Sequence, residues 1–270
     1  MIGVFDSGYG GLTVLKEIIR QLPEYDYCYL GDNARTPYGS RSFETVYRYT
    51  LQAVQHLFAQ GCRLVILACN TASAKALRAI QQQDLPLIDS QKRVLGVIRS
   101  SVEAICSYTR TGHVGILGTI GTVQSGSYPE EIAKLYPQVK VFQEACPMWV
   151  PLIECNEHLH SGADYFVKQN IDHLLQQSRQ IDTLVLACTH YPLLLNKIRQ
   201  FTPPHIRIIE QGSIVANSLS DYLKRHPEME TKLGKTGKRI FQTSDAPESF
   251  DKFASIFFDK AVKSERAVIG

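Results

Sequence analysis

Leu64-Val65-Ile66-Leu67-Ala68-Cys69-Asn70-Thr71 and Leu184-Val185-Leu186-Ala187-Cys188-Thr189-His190 are near-copies of each other within one chain. Each is an apolar run that ends in Ala-Cys and then meets polar residues able to open a helix. A short, unbroken run of Leu, Val and Ile reads as a strand buried on both faces, as in the middle of a parallel sheet. Other strand-like runs fall at 2–5, 25–30, 94–98, 114–117, 139–142, 206–209 and 239–242. Helical patterns occupy 43–60, 71–83, 163–177 and 191–201. This alternation predicts an α/β fold whose parallel sheets are covered by helices on both faces.

The duplication reaches beyond the cysteines. Ile2-Gly3-Val4-Phe5-Asp6-Ser7-Gly8 is similar to Val114-Gly115-Ile116-Leu117-Gly118-Thr119, at nearly the spacing that separates the two cysteines. Two similar α/β domains are the simplest account, each a mainly parallel sheet flanked by helices. A pseudo-twofold duplication would relate them and leave a cleft between. The expected division is residues 94–205 for the second domain and 1–93 plus 206–270 for the first, the chain returning to complete it.

The chain of 270 residues carries a net charge of only +3, with its basic residues spread out. That is not the concentrated basic footprint of a nucleic-acid binder. No apolar run approaches the roughly 20 residues of a membrane helix. The sequence opens at once on a strand-like run, so no secretory leader is expected. The seven cysteines form no Cys-x-x-Cys pair, which argues against a disulfide framework or a structural zinc site. Free thiols in a reducing cytoplasm are expected, with no metal.

In open α/β sheets, ligands bind beyond the carboxyl ends of the strands. Five polar clusters fall there: Asp6-Ser7-Gly8 with Gly10-Gly11, Asp32-Asn33 leading to Pro37-Tyr38-Gly39-Ser40, Cys69-Asn70-Thr71, Thr119 to Thr122, and Cys188-Thr189-His190. If the halves face each other, all five converge on one cleft. Most buried cysteines are small hydrophobes, and Cys28, Cys62, Cys106, Cys146 and Cys155 are read so. Cys69 and Cys188 differ because each lies between a strand end and a helix start, where backbone amides favour a thiolate.

Asp6, followed by glycines, suits an ordinary loop or cap, and equally a group that orients or deprotonates a thiol. His190, two positions from Cys188, offers similar help. Gly8-Tyr9-Gly10-Gly11 matches neither nucleotide-loop pattern, and its glycines better suit close approach of backbone to a small carboxylate. Asn70-Thr71 and Thr189-His190 supply donors that either cap a helix or hold a carboxylate.

These five motifs, in this order, resemble those of the bacterial glutamate racemases in the aspartate/glutamate racemase superfamily, and the likeness spans essentially the whole chain. The resemblance implies an isomerase that interconverts L- and D-glutamate without a cofactor and supplies D-glutamate for peptidoglycan in the cell wall. It implies that Cys69 and Cys188 are the two acid/base residues, Cys69 acting on the D-enantiomer and Cys188 on the L-enantiomer. Asp6 and His190 would support the respective thiols. Asp6-Ser7, Tyr38-Gly39, Asn70-Thr71 and Thr189-His190 would hold the substrate, and Thr119 and Thr122 would line the pocket from the second half. Glu154 matches an acidic position beside His190. A homodimer is also implied.

Two stretches depart from the family pattern. Arg99-Ser100-Ser101 stands where a proline is frequent, and Glu210-Gln211-Gly212 replaces the more usual Asp-Ser-Gly or Asp-Gln-Gly. Both are expected outside the residues that touch substrate, bearing on effector binding or subunit contacts.

The sequence also admits rival functions. A racemase for aspartate or another amino acid of the superfamily shares the Cys-Asn-Thr and Cys-Thr-His motifs. A two-lobed small-ligand binding protein also has paired α/β halves, but has no use for paired cysteines. A redox dithiol would want its cysteines close in sequence.

The Cα proton of an amino acid is a very weak acid, and many racemases enlist pyridoxal phosphate to store the carbanion charge. That route needs a Schiff-base lysine. No lysine lies in any of the five clusters, Lys75 being the nearest. The purified protein is therefore expected to be colourless above the protein absorption band and active without additives. Activity lost on dialysis and restored by pyridoxal phosphate or a metal would overturn the two-thiol reading.

Overall fold

The computed structural model describes residues 1–269. Among them, ten strands run in chain order as β1 (Ile2–Asp6), β2 (Tyr27–Gly31), β3 (Leu64–Leu67), β4 (Arg93–Gly96), β5 (His113–Gly118), β6 (Lys140–Ala145), β7 (Thr183–Ala187), β8 (Arg207–Ile209), β9 (Arg239–Thr243) and β10 (Glu265–Arg266). They form a six-stranded sheet, β10-β9-β2-β1-β3-β4, and a four-stranded sheet, β6-β5-β7-β8. Every pairing is parallel. The run β2-β1-β3-β4 repeats as β6-β5-β7-β8, so β1 corresponds to β5 and β3 to β7. The expected two-domain α/β architecture is thus written into the strand order.

The near-continuous apolar runs became central strands for the reason the sequence suggested: β1, β2, β3 and β7 are buried at every position. The halves are stitched by helices. Leu12–Gln21, after β1, packs against Gln211–Arg225, after β8. Such contacts merge the buried side chains of both halves into one large core that includes Val4, Leu15, Trp149, Leu186 and Leu219.

Several boundaries differ from the sequence reading. β4 closes the first sheet, where residue 94 was expected to open the second half, and the following helix starts already at Val97. β8 pairs with β7 in the second sheet, where residues from 206 onward were expected to lie with the first. Parallel strands need long crossovers, so the chain changes sheets within the helical segments after these strands and not before them. The chain does return: β9 and β10 extend the first sheet beside β2. The helix expected over 71–83 is broken into Asn70–Lys75, a turn at Leu77–Ala79 and a wider π-type turn at Ile80–Asp84. No helix of the described residues is long and apolar enough to cross a membrane.

Candidate active site

The carboxyl ends of β1, β2, β3, β5, β6 and β7 face one cleft of about 190 Å³. That is below the roughly 300–1,000 Å³ of drug-sized pockets and suits a small metabolite. Cys69 and Cys188 both line it, together with Ser7, Tyr38, Gly39, Asn70, Thr71, Thr119, Thr189 and His190. A larger open groove of about 870 Å³ elsewhere, between Arg78, Glu130 and Tyr222, contains neither cysteine. Of the residues expected at the site, Asp6, Thr122 and Glu154 stand one layer behind the cleft wall.

The two cysteines are less alike than their sequences. Cys69 is the N-cap of Asn70–Lys75, and its Sγ accepts the Ala72 amide at 3.4 Å. Cys188 caps no α-helix. Residues 188–190 form a turn, a 3₁₀ segment follows at Tyr191–Leu194, and the α-helix begins only at Leu195. Pro192 forces this difference, since a proline cannot donate a backbone N–H. The expected helix N-terminus beside both thiols therefore exists only for Cys69.

Each thiol has its own polar neighbour. Burial raises the Asp6 carboxyl above the ordinary carboxylate range, against the His190 charge and donors from Gly8, Gly11 and Thr189. The Gly8 amide reaches Asp6 Oδ2 at 3.0 Å, and Thr189 Oγ1 donates to Oδ1 at 3.2 Å. Burial, Asp6 and Cys188 together push the Cys69 thiol up to about 12, against the Ala72 amide and the Ser7 hydroxyl. The Cys69 thiol also donates to Ser7 Oγ at 3.6 Å. Near Cys188 the sign reverses. His190 is fully buried, which disfavours its cation, yet Cys188 and Glu154 outweigh burial and push the imidazole up to about 10. His190 Nε2 lies 3.0 Å from Glu154 Oε1.

Glycine is required where the backbone comes closest. A Cβ on Gly10 would sit 2.3 Å from Thr189 Oγ1 and 2.4 Å from His190 Nδ1. Between the two halves, the hydroxyls of Thr71, Thr119 and Thr122 form a triangle with sides of 2.9, 3.3 and 3.1 Å. This closes first half on second. The Gly39 carbonyl accepts the Gly121 amide at 2.7 Å and adds a second tie.

Two features were missed in the sequence. In the sequence, Asp32 stands out only as part of a motif. It is fully buried and accepts from Arg35 Nε at 2.7 Å, Ser244 Oγ at 2.7 Å and the Tyr38 hydroxyl. With its hydroxyl committed there, Tyr38 faces the cleft with its ring and backbone. Cys146 lines the cleft although it was read as an ordinary buried thiol. Burial and the neighbouring Glu144 hold it well above the usual thiol range, so it stays protonated as part of the wall. β6 runs on to Ala145, beyond the predicted end at 142, and this carries Cys146 to a strand end. A correct strand length would have placed it among the candidates.

Comparison with known proteins places this geometry. The family model for Asp/Glu/hydantoin racemases matches residues 2–219. A glutamate racemase from Persephonella marina is 41% identical over 267 residues, covering 98% of this chain and 96% of its own. The crystal structure of glutamate racemase isoform RacE1 from Bacillus anthracis is 34% identical with a TM-score of 0.90, covering 100% of this chain and 97% of that one. The glutamate racemase structure from Francisella tularensis, in complex with D-glutamate, is 27% identical with a TM-score of 0.86 over 100% and 97% of the two chains.

The His190–Glu154 pair carries a pH prediction. Glu154 is one cause of the raised His190 value, and a raised value means that the cation is lost only as pH climbs through about 10. If catalysis needs that cation, activity should fall on the alkaline side near that pH. Glu154→Gln removes a favourable charge, so the alkaline limb of kcat/KM should shift to lower pH. An unshifted limb would show that Glu154 does not tune His190.

Proposed function

The chain belongs to the Asp/Glu/hydantoin racemase family, and on that premise we propose that it interconverts L- and D-glutamate through Cys69 and Cys188 acting as paired acid and base. Glutamate is the substrate its relatives' names give, at identities that hold across nearly the whole chain. The observation that carries the two-thiol reading is the placement of the cysteines. They come after equivalent strands of the two halves and line one cleft.

Inverting a carbon by direct proton transfer needs a base on one face and an acid on the other. Negative charge on Cys188 is among the causes that hold the proton on Cys69. This repulsion favours the state the reaction requires, with one thiolate and one thiol. In the L-to-D direction the Cys188 thiolate takes the Cα proton while the Cys69 thiol delivers its own to the opposite face. The enzyme is left with a Cys188 thiol and a Cys69 thiolate, which is the starting state for the reverse direction. Holding both sulfurs against Cα makes each transfer effectively intramolecular.

The supporting groups divide accordingly. The His190 cation steadies negative charge on Cys188, and Glu154 steadies that cation. Asp6, able to hold or release a proton beside Cys69, serves the other face. The amide at the start of Asn70–Lys75 and the hydroxyls of Ser7, Thr71, Thr119 and Thr189 offer donors for substrate carboxylates and for the charge that develops on the α-carboxylate as Cα is deprotonated. Asn70 and the backbone of Tyr38 and Gly39 complete the cradle. Thr122 acts through Thr71 and Thr119. The proposal extends to a homodimer in the cytoplasm that supplies D-glutamate for peptidoglycan.

The deciding measurement is loss of optical rotation from L-glutamate and from L-aspartate with no added pyridoxal phosphate. Glutamate should racemise and aspartate should be far slower; equal rates would favour a broader racemase. Bound but unchanged glutamate would favour a binding protein. Cys69→Ser and Cys188→Ser should each lose racemisation by roughly 10²–10⁴-fold, the usual worth of a positioned acid or base. Each single variant should still eliminate a leaving group from one enantiomer of a β-substituted analogue, which needs one base only. Near-wild-type racemisation by either variant would remove that cysteine from the mechanism.

A further inference from the structure

The two stretches that depart from the family pattern meet in space, behind Asn70. Gln211 Nε2 donates to Ser101 Oγ at 2.7 Å, to Tyr128 Oη at 2.8 Å and to Asn70 Oδ1 at 3.2 Å, sharing its two protons among three acceptors. In return, Asn70 Nδ2 donates to Gln211 Oε1 at 2.6 Å. The Tyr128 hydroxyl donates to Asn70 Oδ1 at 2.8 Å, and Ser101 Oγ donates to the Val97 carbonyl at 2.8 Å. All four side chains are buried. The group joins four elements: the starts of Asn70–Lys75 and Gln211–Arg225, and the helices Val97–Ile105 and Ser127–Leu135.

An amide side chain has two faces that differ chemically, donor and acceptor, and nothing in its shape fixes which way it points. Here Gln211 opposes Asn70 amide to amide, donor to acceptor both ways, and Tyr128 adds a second donor to the acceptor side. Turning the Asn70 amide over would face its Nδ2 to the Gln211 Nε2 and its Oδ1 to the Gln211 Oε1. A buried mismatch of this kind is costly. One Nδ2 proton of Asn70 is used by Gln211, which leaves the other as the side chain's remaining donor, and Asn70 lines the cleft. Asn70 also directly follows Cys69 and opens the helix that Cys69 caps.

We infer that Gln211 is a positioning residue for the reaction: its buried amide, with Tyr128 and Ser101, locks the Asn70 side chain so that a donor faces the substrate. Gln211 and Ser101 act as one unit, the large amide beside Glu210 meeting the small hydroxyl of Ser101. The inference rests on the glutamate racemase reading for the identity of the ligand. The Asn70 contact is made alike to both enantiomers and to the transition state. Releasing it therefore weakens binding more than it slows chemistry.

The test is a double-mutant cycle read by calorimetric titration with glutamate, in which turnover adds no heat because the products are enantiomers. Gln211→Leu should raise Kd by about tenfold, the loss of one hydrogen bond to a charged group, and leave kcat within about twofold. Tyr128→Phe, which removes only the hydroxyl, should move Kd in the same direction. In an Asn70→Ala background either substitution should leave Kd almost unchanged, since there is no amide left to orient. Multiplicative losses in that background would overturn the inference, as would an unchanged Kd in Gln211→Leu. If Gln211→Leu does not fold, the Tyr128→Phe cycle decides alone. Should the wild type bind glutamate without racemising it, the functional reading falls while the Gln211–Asn70 coupling is still read from Kd.

Discussion

The structure turns on a carboxylate with no exposed surface. Asp6 ends β1 with its side chain fully buried, and a buried charge is costly unless it is paired and hydrogen-bonded. Its partners come from both halves: the Gly8 amide from its own loop, the Thr189 hydroxyl from the second half, and the His190 charge beyond it. Satisfying Asp6 therefore requires the second half to dock in one position. That docking brings Cys188 into the cleft that Cys69 lines. It also explains the glycines, because a Cβ on Gly11 would lie 2.6 Å from Asp6 Cβ and one on Gly10 would displace Thr189 and His190. Thr13 reinforces the joint, its hydroxyl bridging the carbonyls of Gly10 and Thr189 at 2.8 and 2.9 Å.

Duplication accounts for two thiols but not for their environments. Equivalent strands, β3 and β7, deliver Cys69 and Cys188 to equivalent places because strand order is the same in both sheets. The segments beyond the two strands then differ. After β3 the chain turns straight into a helix whose amide meets the sulfur. After β7, Pro192 delays the helix and leaves the loop room for His190 against Phe257, with ring centroids 5.2 Å apart. One repeated scaffold thus carries two chemically distinct half-sites.

The parts of this arrangement that were legible in the sequence are those encoded locally. Apolar runs announced β1, β3, β5 and β7, and their polar endings announced Asp6, Cys69, Thr119 and Cys188. Short strands with mixed faces were read less well. β6 is only partly buried along its length, so its pattern fades before it ends, and Cys146 was overlooked. The sheet membership of β4 and β8 depends on where crossovers run, which no local pattern encodes. The Asp32 anchor and the Gln211 cluster were hidden for a similar reason. Gln211 meets Asn70 from far along the chain, and Asp32 takes Ser244 from as far beside its local partners Arg35 and Tyr38; single buried polar residues carry no periodicity.

The unequal half-sites bear on how a near-symmetric reaction is run. L- and D-glutamate have equal free energies, so the chemistry asks for no bias, yet the protein supplies one. Beside Cys69 stands a buried acid whose charge opposes a thiolate; beside Cys188 stands a buried cation that favours negative charge. Two identical sites that repel each other's charge would hold one proton between them with no preference for either sulfur. On the two-thiol proposal, opposite electrostatics break that tie and favour the proton on Cys69. The reverse arrangement is then reached, in that proposal, by transfer through the substrate, which puts one proton on Cys188 and takes one from Cys69. The buried carboxylate that aligns the two halves is thereby also a group that biases where the proton rests.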